Sequence, residues 1–94
     1  MRVISKKRLR EFWERRADAK GPLETWHAVA KAAKWQKLLD VQKTYSSAEA
    51  VNQFTVFNIK GNTYRLIVKI EYELRMIYVH CVLTHAEYDK GGWK

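Results

Sequence analysis

Three runs rich in β-branched and aromatic residues fill the second half of the chain: Phe54–Lys60, Thr63–Tyr72 and Met76–Thr84. Gly61-Asn62 alone separates the first pair, and glycine at the first central position suits a type II′ hairpin. Glu73-Leu74-Arg75 makes a slightly longer second turn. Strands joined this tightly predict a mostly antiparallel sheet. Side chains alternate across a sheet. In the middle run, Tyr64, Leu66, Val68, Ile70 and Tyr72 therefore share one face, and Arg65, Ile67, Lys69 and Glu71 share the other. The aliphatic face must be covered.

The first half supplies the cover. Arg2-Val3-Ile4 reads as a short first strand. Ser5 then offers an N-cap to a helix over Lys6–Arg16, in which Leu9, Phe12 and Trp13 recur at helical spacing. Gly21-Pro22 breaks the chain, and Pro22 suits the first position of a second helix that lines up Leu23, Trp26, Ala30 and Ala33. Asp40–Gln53 has weak periodicity and reads as a long surface connection with one helical turn at Ala48–Val51. The outline is an α+β domain over residues 1–94 in the order β-α-α-β-β-β, two helices packed on the sheet. With 47% hydrophobic residues, a chain of 94 can fill such a core.

Charge narrows the partners. Lys and Arg number 18 against 10 Asp and Glu, a formal net charge of +8. A polyanion would relieve that self-repulsion, either nucleic acid or an acidic protein segment. Cys81, the only cysteine, sits in an apolar run and reads as a buried thiol, with no disulfide framework. No apolar run is long enough for a signal peptide or for the ~18 residues of a membrane span. The expected location is the cytoplasm, with no membrane partner.

Two places could carry chemistry. In the last strand Ile77, Val79, Cys81 and Leu83 form the more apolar set, which sends Tyr78 and His80 to the face of Arg65 and Lys69. In the first strand Phe57 and Ile59 point inward, and Asn58 and Lys60 join the basic face. Such a face binds phosphates and stacks bases, or is an ordinary solvated sheet surface. The second place is Thr84-His85-Ala86-Glu87-Tyr88-Asp89-Lys90. Cutting RNA without a metal requires a group to take the 2′-hydroxyl proton, and cations for the crowded phosphate. Histidine suits the first task and arginine the second. Tyrosine can orient a phosphate, stack on a base or donate a proton. A histidine that merely caps a strand is the competing reading. His27, His80 and His85 make no compact ligand motif, so no metal is expected. Gly61 stands alone, so no glycine-rich loop points to a cofactor.

The segments Phe57-Asn58-Ile59-Lys60-Gly61-Asn62-Thr63-Tyr64-Arg65-Leu66-Ile67-Val68 and Val82-Leu83-Thr84-His85-Ala86-Glu87-Tyr88-Asp89-Lys90 together resemble the HigB-type toxins of bacterial type II toxin–antitoxin systems, within the wider RelE-like group of mRNA interferases. The detailed match runs from Phe54 to Lys94, and the first half agrees in layout and length. The resemblance implies a RelE-like fold whose concave basic face holds mRNA. It implies endonucleolytic cutting of mRNA, commonly on the ribosome, and neutralisation by a HigA-type helix-turn-helix antitoxin through which alone operator DNA is bound. By position it marks His85 as the proton-transfer group, Arg65 as the phosphate clamp and Tyr88 as an orienting or acid group. Lys60, Lys69, His80 and Lys90 become supporting RNA contacts, and Asp89 orients His85 or Lys90. The alternative function is a non-catalytic RNA- or ribosome-binding module on the same fold.

Overall fold

The three strand-forming runs become β3 (Phe54–Ile59), β4 (Tyr64–Glu71) and β5 (Met76–Thr84) of a computed structural model that describes Met1–Lys94. Gly61 takes φ +62 at the first central position of its turn, which Thr63 closes by donating to the Lys60 carbonyl at 3.2 Å. Lys60 is itself left-handed (φ +53), so β3 stops at Ile59, a residue before the sequence suggests. Residues Arg2–Ile4 form β1, which runs parallel to the start of β5, with Ile4 opposite Tyr78. A strand the sequence does not announce, β2 (Glu49–Val51), adds antiparallel to β3. The sheet order is β1-β5-β4-β3-β2, an α+β fold as expected with one strand more.

Helix α1 (Lys6–Arg15) buries Leu9 and Phe12 of the three residues that its spacing selects, and Trp13 packs partly buried at the edge of the core. Its successor α2 (Lys20–Ala32) begins at Lys20 rather than at Pro22, running through the expected break at Gly21-Pro22. A 3₁₀ turn over Ala17–Ala19 leads directly into it. Pro22 is tolerated there because first-turn N–H groups have no helical partner to lose. The expected long connection is also structured. It holds α3 (Leu38–Thr44) as well as β2, and Ala48–Val51 is not a helical turn. In α3 only Val41 is buried, which leaves too few apolar positions to make a period. None of these helices is long and apolar enough to cross a membrane.

The main core lies between the helices and one sheet face. Phe57 is its hub: Trp26 and Tyr45 meet it edge-on at centroid distances of 5.4 Å each, and Trp35 stacks at 6.1 Å. Leu66, Val68 and Tyr64 of β4 face this core, as alternation predicts. In β5 alternation is broken. Ile67 sits opposite Cys81 but Val68 opposite Val79, so His80 is an extra residue that bulges the strand. Beyond it the two faces exchange. Val82 joins Ile77 and Val79 in the main core, while Cys81 and Leu83, expected inside, pass to the opposite face.

That opposite face has a small core of its own. Phe54, Val56 and Ile67 are buried there under Trp93, with Cys81, Leu83 and Tyr88 packed around them. A short last helix, α4 (His85–Lys90), and the turn after it bring Trp93 back over the sheet.

Candidate functional site

Arg65 is only 8% exposed, so it does not stand on an open basic face as the strand pattern suggests. The Gly61-Asn62 turn folds back over it. Its guanidinium donates to the Asn62 carbonyl at 3.1 Å, the Asn62 side-chain oxygen at 2.5 Å and the Tyr64 carbonyl at 3.2 Å. These bonds hold the fork in one plane. The ring of Tyr88 packs against it, with the guanidinium carbon 5.5 Å from the ring centroid.

Tyr88 arrives there because α4 starts sharply. The Thr84 hydroxyl accepts from the Glu87 N–H at 3.2 Å, and the Glu87 carboxylate accepts from the Thr84 N–H at 2.9 Å. This reciprocal capping box satisfies two otherwise unpaired donors. The His85 N–H donates to the Thr63 carbonyl at 3.2 Å, tying the start of α4 to the turn that holds Arg65. His85 and Tyr88 are three residues apart on this helix and are neighbours on its surface. The imidazole Nδ1 of His85 lies 3.2 Å from the Asp89 carboxylate, one turn on. The hydroxyl of Tyr88 donates to Glu49 of β2 at 3.2 Å. Burial, and then the Glu49 carboxylate, push its pKa up, while the nearby Arg65 charge opposes them. The phenol therefore keeps its proton at neutral pH.

The remaining candidates lie elsewhere, and one is displaced. Lys69 shares the sheet face of Arg65 and Ile67, where it pairs with Glu71 at 3.2 Å and has Tyr78 opposite it. His80 is exposed and stacks on Phe54 at 4.6 Å. Its Nε2 lies 3.3 Å from the Trp93 carbonyl. Lys90 is exposed beside Trp93, where both line a cavity of about 430 Å³ with Glu87. Lys60 does not join them. Its left-handed backbone turns the ammonium to Asp18 at 2.7 Å, and the same carboxylate accepts from Tyr64, a residue of the helix-side core, at 2.6 Å.

Thus Arg65, Tyr88 and His85 gather around the junction of β5, α4 and the Gly61-Asn62 turn, with Lys69 and His80 farther along the sheet. Glu49, Asn62 and Trp93 are additions that pattern alone does not single out. Asn62 is legible only as a turn residue, and Glu49 falls in the stretch without periodicity. No group of three His, Cys, Asp or Glu side chains is placed to hold a metal ion.

The helices on a mixed sheet form a RelE-like fold, and comparison with known proteins agrees. Residues 19–91 match the family described as HigB_toxin, the RelE-like toxic component of a toxin–antitoxin system. The chain belongs to the HigB toxin family. It is also similar to the mRNA interferase toxin HigB of Escherichia coli strain K12, 28% identical over 92 residues that cover 95% of this chain and 88% of the relative. The proteins called mRNA interferase HigB of Escherichia coli O157:H7 and Shigella flexneri match at the same identity and coverage.

Proposed function

We propose that this chain is an mRNA interferase, an endoribonuclease that cuts mRNA during translation on the ribosome without a metal ion. The observation that carries the reading is the Arg65 guanidinium held against Tyr88, with His85 on the same short helix, in a member of the HigB toxin family. His85 takes the proton of a ribose 2′-hydroxyl, and the 2′-oxygen attacks the adjacent phosphorus. Arg65 neutralises the charge that develops on the phosphoryl oxygens. The raised pKa of Tyr88 favours the orienting role over the acid role, with its hydroxyl donating to the same phosphate. As the cyclic phosphate closes, the P–O5′ bond breaks and the departing 5′-oxygen takes up a proton from water. Lys69, His80 and Lys90 guide the strand across the sheet, Asp89 orients His85, and Lys60 stands aside with Asp18. The protein acts in the cytoplasm as one domain. A HigA-type helix-turn-helix antitoxin neutralises it and carries the complex to operator DNA.

The test is cleavage of a defined transcript, in a translating extract and as free RNA, the free RNA with and without EDTA. The wild type should cut the message that ribosomes translate, any cutting of the free RNA should survive EDTA, and His85→Ala and Arg65→Ala should cut neither. Salt-sensitive RNA binding with no cleavage by the wild type would reject the enzyme and leave a non-catalytic RNA-binding module.

A further inference from the structure

Trp93 touches both halves of the site. Its ring stacks on Tyr88 at a centroid distance of 5.1 Å and an interplanar angle of 16°. Its indole N–H donates to the Tyr88 carbonyl at 3.1 Å, an acceptor shared with the Gly91 N–H at 3.0 Å. Its other neighbour is Phe54, centroids 6.0 Å apart, and Phe54 in turn stacks on His80. Its own carbonyl meets His80 Nε2 at 3.3 Å. One residue therefore fixes Tyr88 by ring and by backbone, and His80 by a polar contact and through Phe54. At 9% exposure Trp93 is buried, yet it belongs to the small second core and not to the main one.

The route that brings it there is built for it. Gly91 adopts φ +75 at the end of α4, a left-handed cap that glycine takes without steric cost. The chain reverses at this point, and Trp93 comes down on Phe54, Val56 and Ile67. An indole placed only to close an apolar patch would need no particular ring angle and no bond to the residue it covers. This one has both, and its partner is the tyrosine at the centre of the site.

We propose that Trp93 is a positioning residue for the RNA-cutting reaction. It sets the angle of the Tyr88 ring beneath Arg65 and holds His80 in register with it, so that the phosphate site and the strand-binding face act as one surface. The proposal rests on the functional reading above for its kinetic consequence, and stands apart from it for its structural one. A side chain mispositioned by about 1 Å can cost on the order of 100-fold in rate.

The experiment compares Trp93→Ala, Trp93→Phe and wild type in two measurements. In the first, NMR follows the ring signals of Tyr88 and His80. In Trp93→Ala both should shift together, although one lies in α4 and the other in the middle of β5, and in Trp93→Phe the Tyr88 signals should stay near their wild-type positions. In the second, cleavage kinetics should show kcat lowered about tenfold or more in Trp93→Ala with KM changed less than about threefold, and most of kcat recovered in Trp93→Phe. Unmoved Tyr88 signals in Trp93→Ala, or wild-type kcat in that variant, would overturn the proposal. If Trp93→Ala does not fold, Trp93→Phe decides alone: Tyr88 signals displaced as in an unstructured chain would overturn it, and a retained stack supports it. Should the wild type fail to cut RNA, the functional reading falls, and the NMR comparison still tests the positioning.

Discussion

The hydroxyl of Tyr88 donates to the Glu49 carboxylate at 3.2 Å, so the side chain assigned to the scissile phosphate already holds an anion. A phosphate entering beneath Arg65 must take the place of that carboxylate or share the hydroxyl with it. Removing the charge should ease entry. Glu49→Gln is expected to lower KM for RNA severalfold with kcat little changed, whereas Tyr88→Phe lowers kcat on the order of 100-fold. Steady-state cleavage of a short RNA measures both, and a raised KM in Glu49→Gln would show that the carboxylate assists binding.

Arg65 owes its orientation to Asn62, which receives two of its three hydrogen bonds. A lysine keeps the charge and loses the fork. Arg65→Lys should therefore retain less than about one hundredth of wild-type kcat/KM, and Asn62→Ala should be impaired by an intermediate factor with Arg65 intact. Single-turnover rates at saturating enzyme would reveal the error if Arg65→Lys matched the wild type.

The capping box makes α4 sensitive to acid. The Glu87 carboxyl accepts from the Thr84 N–H, and that bond holds its pKa below the ordinary value of 4.5. A depressed carboxylate pKa contributes stability that is complete above the unfolded value and is lost as pH falls through the folded one. The protection of the α4 amides, relative to their intrinsic exchange rates, should fall below about pH 4.5 ahead of that of the main core. Thr84→Ala should produce the same loosening at neutral pH, at a cost of about 1 kcal/mol. Equal protection of α4 at pH 6 and pH 3 would contradict this account.

Two lysines that look alike in the sequence should behave differently. Lys60 is paired with Asp18 on the helix side of the sheet, and Lys69 lies on the face of Arg65. Lys69→Ala is expected to weaken RNA binding and to reduce the salt slope of log K by about 1, the signature of one lost phosphate contact. Lys60→Ala should leave that slope unchanged. Fluorescence titrations at several salt concentrations with an uncleavable RNA distinguish the two, and identical slopes would place both lysines on the strand path.

Much of the frame is legible in the residues. The run from Tyr64 to Tyr72 alternates cleanly, and Leu9, Phe12, Leu23 and Trp26 mark the buried stripes of the two long helices, because each element has one face in a large core. What escapes reading has a physical cause in each case. In α3 a single buried valine anchors the helix, and β2 has only three residues, none fully buried. Arg65 reads as exposed because strand period places it on the outer face, and nothing local reveals that α4 and Trp93 cover that face. The grouping of His85 with Tyr88 is visible in the motif. The packing of Tyr88 against Arg65 depends on the turn at Thr63, whose carbonyl holds the His85 N–H, a long-range contact without periodicity. Lys60 misleads because a left-handed residue at a strand end abandons the alternation of the strand before it.

The bulge at His80 gives β5 two phases, one on each side of a single added residue. A deletion there would do more than remove an imidazole. It would shift Cys81, Val82, Leu83 and Thr84 by half a period, driving Val82 out of the main core and carrying the root of α4 to the wrong side of the sheet. Insertions and deletions elsewhere in surface turns change the length of a connection. At this position the count of residues is itself the instruction that puts the last ten residues over the outer face.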